Sequence, residues 1–220
     1  MFLVDLYFSF RSPYSYFILP RIIELRDNYD VNINFKLVYP LAIREPHFFQ
    51  GKNAFTYFIP KTFDYFLQAK KLGMLFKAPK PDPINQNMLT GKISNKQPFI
   101  FDLCHLGQSM CKKNLGIEFA YEISNSIFGG KKDWHKDNHL FSICSKLGLD
   151  LEEMRNFTKL NEKEIIIEIE NNQIEQLAIG HHGVPLTVYK NNFFFGQDRF
   201  DNLIDELRKD GLKYNKQIIF

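Results

Sequence analysis

The sequence predicts an α/β fold in which the two ends of the chain share one sheet and a large helical block is inserted between them. Two observations carry this. Residues 1–39 read strand, helix, strand, and residues 185–209 read strand, strand, helix. Between them the pattern changes to helical spacing, from about Arg44 to Ile179. The implied organisation is a sheet domain from residues 1–43 and 180–220, with residues 44–179 as the insertion.

Each element has its own signal. Phe2–Phe8 (FLVDLYF) is apolar and rich in strand formers. Pro13 suits the first position of a helix running to about Asp27, and Pro20 inside it should kink it. Asn32–Tyr39 alternates Ile33, Phe35, Leu37 and Tyr39 with polar residues, so it is a strand, and the βαβ order makes it parallel to the first. Ala54–Leu72 carries spaced aromatics (Tyr57, Phe58, Tyr65, Phe66) and meets a C-cap at Gly73. Lys77–Pro83 must be extended or turned. Gln97–Phe128 is one long apolar-periodic stretch, and Asn138–Leu147 is a helix ended by Gly148. Asn161–Ile179 reads as a helix, although its EIIIEIE also fits a strand. Pro185–Lys190 and Phe193–Gly196 form a hairpin about a turn at Asn191–Asn192. A last helix, about Arg199–Lys209, puts Leu203, Ile204 and Leu207 on one face.

Composition narrows the function classes. With 220 residues, 45% of them hydrophobic and 23 of them Phe, the chain can bury a bulky aromatic core. Its net charge of +3 is scattered, with no Lys/Arg stripe to track a nucleic acid. No run of apolar residues is long enough to span a membrane. MFLVDLYFSF reads as a strand and not as a leader peptide. The three cysteines form no C-x-x-C and suggest no disulfide framework, which points to a reducing, cytoplasmic setting.

Three separated marks resemble one family. They are Asp5–Tyr16 (DLYFSFRSPYSY), Gly183–Thr187 (GVPLT) and Phe194–Arg199 (FFGQDR). In this order, on a thioredoxin-like fold with a large α-helical insertion, they resemble the 2-hydroxychromene-2-carboxylate isomerases and kappa-class glutathione transferases, relatives of DsbA. Weaker echoes include Asn53, seven residues before Pro60, and Asp133–Asp150. One departure is Lys61, directly after Pro60, where the family's pattern places its lysine one position later.

The residues themselves support two levels of reading. Ser12 before Pro13 is an ordinary helix start, with Ser as the N-cap. The resemblance implies more: Ser12 and Ser15 stand where thioredoxin relatives carry Cys-x-x-Cys, and Ser12 would donate a hydrogen bond to the thiolate of glutathione. A free thiol of pKa ~8.5 is only about 3% ionised at pH 7. Lowering it by two units needs ~2.7 kcal/mol. A charge-assisted hydrogen bond of ~1.5–3 kcal/mol and a helix N-terminus of ~0.3–1 kcal/mol suffice.

The resemblance also implies a cis bond at Pro185, with Gly183 lending flexibility and the Val184 backbone pairing with the cysteinyl part of glutathione. Gln197 and Asp198 at the last helix would hold the γ-glutamyl end, although Asp198 also reads simply as an N-cap. Asn53 and Lys61 would hold the glycyl end. The implied partners are glutathione and a small apolar or aromatic acid, and the implied assembly is a homodimer. Cys104 and Cys111, seven apart on one helix face, read as buried thiols and not as a metal site, since His105 beside Cys104 points elsewhere. His181 and His182 read either as surface residues or as neighbours of the second substrate. Two other classes stay open: a thiol-disulfide oxidoreductase relative of DsbA, and a non-catalytic thioredoxin-fold binding protein.

Overall fold

A computed structural model describes residues 1–49, 51–52, 54–87 and 89–215. Strand β1 (Phe2–Phe8) leads into helix α1 (Pro13–Asn28) and strand β2 (Val31–Leu37). The helical block holds α2 (Leu41–Arg44), α3 (Ile59–Lys71), α4 (Ile100–Lys112), α5 (Gly116–Phe128), α6 (Asp137–Lys146), α7 (Leu151–Leu160) and α8 (Glu162–Ala178). The chain returns through β3 (Leu186–Tyr189), β4 (Asn192–Phe195) and α9 (Phe200–Lys209). The strands lie in the order β2-β1-β3-β4, with β1 and β2 parallel and the other pairs antiparallel. The two ends of the chain thus share one sheet. No described helix is long and apolar enough to cross a membrane.

The apolar run of β1 follows from its place in the middle of the sheet, where both faces are covered. Val4, Leu6 and Phe8 join the main core. Tyr7, on the opposite face, packs with Val38 and Leu186. The main core continues without a break into the helical block, through Met110, Phe119, Ile123, Trp134 and Ile169. Gly107 lets α4 lie against Phe10, since a Cβ there would stand 2.6 Å from the Phe10 ring.

Some elements differ from the sequence reading. The stretch 97–128 is two helices, broken at Lys113–Leu115, where Asn114 takes φ 59° and the Leu115 N–H caps the Met110 carbonyl. Helix α7, not among the elements read from the sequence, repeats Leu151, Met154, Phe157 and Leu160 at helical spacing, and Asp150 before it accepts a hydrogen bond from the Glu153 N–H at 2.9 Å. Its Asp-x-x-Glu spacing was the readable signal. The hairpin turn falls at Lys190–Asn191, one residue early, because Asn192 pairs with Tyr189 and Lys190 takes the left-handed conformation at φ 54°. EIIIEIE is helical within α8, and α1 continues through Pro20.

Candidate functional site

The site lies where α1 begins, against the loop that enters β3. Ser12 is extended, Pro13 fills the first helical position, and the Ser12 hydroxyl oxygen accepts the Ser15 N–H at 3.2 Å. The predicted cap therefore forms. The hydroxyl proton points elsewhere, to the Val184 carbonyl at 3.4 Å, longer than an ordinary O–H···O bond. The first turn of α1 carries no acidic side chain of its own. Ser15 is fully buried and its hydroxyl has no partner among the described residues.

The Val184–Pro185 peptide is cis. The loop before it is held by side chains that sequence reasoning did not single out. Gln176 on α8 donates to the Gly183 carbonyl at 2.7 Å. Arg44 on α2 donates to the His182 carbonyl (2.9 Å), to Gln176 Oε1 (3.1 Å) and to the Tyr39 carbonyl (2.7 Å). Burial lowers the Arg44 pKa to about 10. Gly183 allows a close approach: a Cβ there would stand 2.4 Å from the Phe195 ring.

Ser12, Val184 and Lys61 come together on the wall of one cavity of about 350 Å³. Lys61 Nζ stands 5.6 Å from the centre of the Tyr14 ring. The Tyr14 hydroxyl donates to Asp64, and burial together with that carboxylate raises its pKa above the usual range. Arg11, just before Ser12, makes a two-pronged ion pair with Asp82 at 3.2 and 2.9 Å. Phe48, Phe49, Tyr57 and Phe195 supply an apolar wall.

Both histidines line the same cavity. His181 is half-buried, and its Nδ1 accepts the Gly183 N–H at 2.9 Å. The neutral ring must then carry its proton on Nε2. Burial and the neighbouring His182 lower its pKa, which favours that neutral form.

Other expected site residues lie elsewhere. Pro185 is buried directly behind Val184, and its carbonyl accepts the Gly196 N–H. Gln197 is 5% exposed and donates to Gln68 Oε1 at 3.0 Å, so its side chain is already committed. Asp198 is exposed in a 3₁₀ turn spanning Gln197–Arg199. It is not the N-cap of α9, which has no side-chain cap. Neither residue lines the cavity. Asn53 lies outside the described residues. No cysteine lines the cavity either. Cys104 and Cys144 are buried, and burial pushes the Cys111 thiol up to about 12.

Comparisons with known proteins agree with this architecture. The DSBA-like thioredoxin domain family matches residues 110–208. No curated protein sequence matches the chain. Among solved structures, 2-hydroxychromene-2-carboxylate isomerase superposes with a TM-score of 0.70 at 16% identity, covering 94% of this chain and 95% of that one. A putative protein disulfide isomerase from Nitrosomonas europaea gives 0.62 at 12%, covering 95% and 98%. The cytosolic disulfide reductase DsbM from Pseudomonas aeruginosa gives 0.59 at 10%, covering 94% and 99%, and it also matches in a structure with GSH. The sheet order, the serine-capped α1, the loop before β3 and these superpositions agree: this chain has the DsbA-like thioredoxin fold, with a helical block inserted between the two halves of the sheet.

Proposed function

We propose that this protein is a glutathione-dependent isomerase or transferase acting on a small apolar or aromatic acid. One observation carries the reading: the Ser12 hydroxyl sits at a helix N-terminus with no acidic residue in its first turn, beside the Val184 carbonyl, on the wall of a mixed polar and aromatic cavity. The isomerase and the GSH-containing reductase among the superposing structures point the same way.

The residues present fit glutathione. The cavity volume lies in the range of small-molecule sites. Lys61 offers an ammonium to a carboxylate, and the Val184 backbone offers strand-like pairing. Asp198 lies outside the cavity lining, exposed before α9 with Gln197 holding the turn behind it, so it would reach only the ammonium of a ligand that extends past the cavity. When bound, glutathione would supply a nucleophilic thiolate.

The chain's own groups prepare the site for that anion. Ser12 accepts the Ser15 N–H with a lone pair, so capping leaves its proton available for donation. The long contact to Val184 competes weakly for that proton. The α1 terminus adds a favourable potential. No general base is needed at Ser12. His181 lines the cavity, and with Nδ1 taken by the Gly183 N–H its Nε2–H is the group left to hydrogen-bond a substrate oxygen without carrying a charge. Phe48, Phe49, Tyr57 and Phe195 exclude water from an apolar ring.

Calorimetric titration tests the binding step, and absence of binding at millimolar glutathione would overturn the reading. Ser12→Ala is expected to raise the pKa of the bound thiol by one to two units, roughly 1.4–2.7 kcal/mol. Thiolate absorbance that titrates identically in both proteins would remove Ser12 from the mechanism.

A further inference from the structure

Helix α3 buries one face and leaves a second, apolar face to solvent. We infer that this second face is a docking surface for an anionic lipid bilayer, on which the protein rests without spanning it. This goes beyond the glutathione reading and does not depend on it.

Along α3, Ile59, Phe63, Phe66 and Leu67 recur at helical spacing and are between 47% and 64% exposed. The inward face is a different set. Ala69 is buried, and Tyr65 packs against Tyr14 at 5.0 Å and Phe76 at 5.5 Å between ring centres. Core packing therefore does not account for the outer stripe. The chain after the helix extends it. The Met74 N–H donates to the Ala69 carbonyl at 2.8 Å, and Phe76 packs edge-on to Phe66 at 5.1 Å. That turn keeps Leu75, also exposed, at the C-terminal end of the stripe. Single exposed apolar side chains are ordinary, but a group of them on one helix and the turn after it marks an interaction surface.

The charge around the stripe selects the partner. Residues 52–80 hold six lysines and one carboxylate, Asp64, and so carry a formal charge of +5 in a chain whose total is +3. The charge that reads as scattered along the whole chain is thus one-sided here. Lys70, Lys71, Lys77 and Lys80 are exposed, and none of them pairs with a carboxylate among the described residues. Asp64 is engaged by the Tyr14 hydroxyl. A two-fold pair of copies would set this positive surface against itself, so a second copy of the chain is the poorer match. An anionic bilayer takes Phe and Leu side chains at its headgroup boundary and attracts each nearby lysine. A basic amphipathic helix of this kind lies in the plane of such a surface. Helix α3 also supplies Lys61 and Tyr65 to the cavity beside Ser12, so a docked bilayer would lie next to that cavity.

The full chain is sedimented with vesicles of phosphatidylcholine alone and with vesicles containing about one third phosphatidylglycerol. Binding is expected to the anionic vesicles and not to the neutral ones, with at least a tenfold loss of affinity in about 0.5 M salt. Phe63→Ser/Leu67→Ser and Lys70→Glu/Lys71→Glu should each weaken binding by about tenfold or more. All four side chains are exposed, and circular dichroism checks that each variant folds. Should one of them fail to fold, the other is read alone. No binding to anionic vesicles, equal binding to neutral ones, binding that ignores salt, or unchanged binding in a folded variant would overturn the surface. So would a wild-type dimer in sedimentation velocity that Phe63→Ser/Leu67→Ser converts to a monomer, since a second copy would then cover this face.

Discussion

Helices α1 and α9 both begin beside the sheet, yet their first turns meet opposite surroundings. At α1, Ser12 caps the helix, no acidic side chain occupies the first turn, and a cavity lies in front. At α9, the approach is a 3₁₀ turn whose Gln197 side chain is tied to Gln68. Arg21, from the middle of α1, reaches across to the Gln197 carbonyl at 3.4 Å, pairs with Asp201 and lies 4.3 Å over the Phe200 ring. Asp201 already answers the positive end of α9. A capping sequence specifies local hydrogen bonding. Whether a ligand can reach the cap depends on which distant side chains fill the space before it.

The comparison can be broken at several points. The largest effect is expected at the loop facing α1. Gly183→Ala would drive a methyl group into Phe195 and His181, costing about 2 kcal/mol in urea unfolding. A neutral result would mean that this wall of the cavity yields. Next, Gln197→Leu removes a buried hydrogen bond and leaves Gln68 Oε1 without it, which should lower stability by about 1 kcal/mol in thermal melts. Glutathione affinity should change little in that variant if Gln197 only holds the turn. A large loss of affinity with unchanged stability would reverse the contrast drawn between the two helix starts.

The smallest effect is a pH dependence. The His181 pKa is lowered from 6.5 by burial and by His182, and His105 is lowered from the same value, mainly by burial. The unfolded chain therefore binds these protons more readily than the folded one. Their contribution is fully present above pH 6.5 and is lost as pH falls below it. His181→Phe should flatten part of that decline in thermal melts between pH 7 and pH 5, roughly the span over which histidine titrates. An identical slope in wild type and variant would mean that His181 is not held neutral by its surroundings.

Much of this arrangement was legible in the residues. The strand alternation of 32–39, the Ser-Pro start at Ser12 and the hairpin of 185–196 all depend on near neighbours, and each formed within a residue or two of its expected place. The break at Asn114 was missed because apolar spacing on both sides stays in register with one core, so periodicity alone reads straight through it. Arg44 and Gln176 were missed for a different reason. They lie 132 positions apart and act on backbone carbonyls, and such contacts leave no pattern in the sequence.

By itself, the sequence determined the order of elements, the shared sheet and the cap at Ser12, because propensity, patterning and capping are set by neighbours along the chain. Only the tertiary structure decided which helix start stays open. It placed Lys61 and His181 around Ser12, closed Gln197 behind Gln68, and left the apolar stripe of α3 exposed. Those outcomes rest on side chains brought together from remote segments, where close packing, and not local preference, fixes what remains accessible.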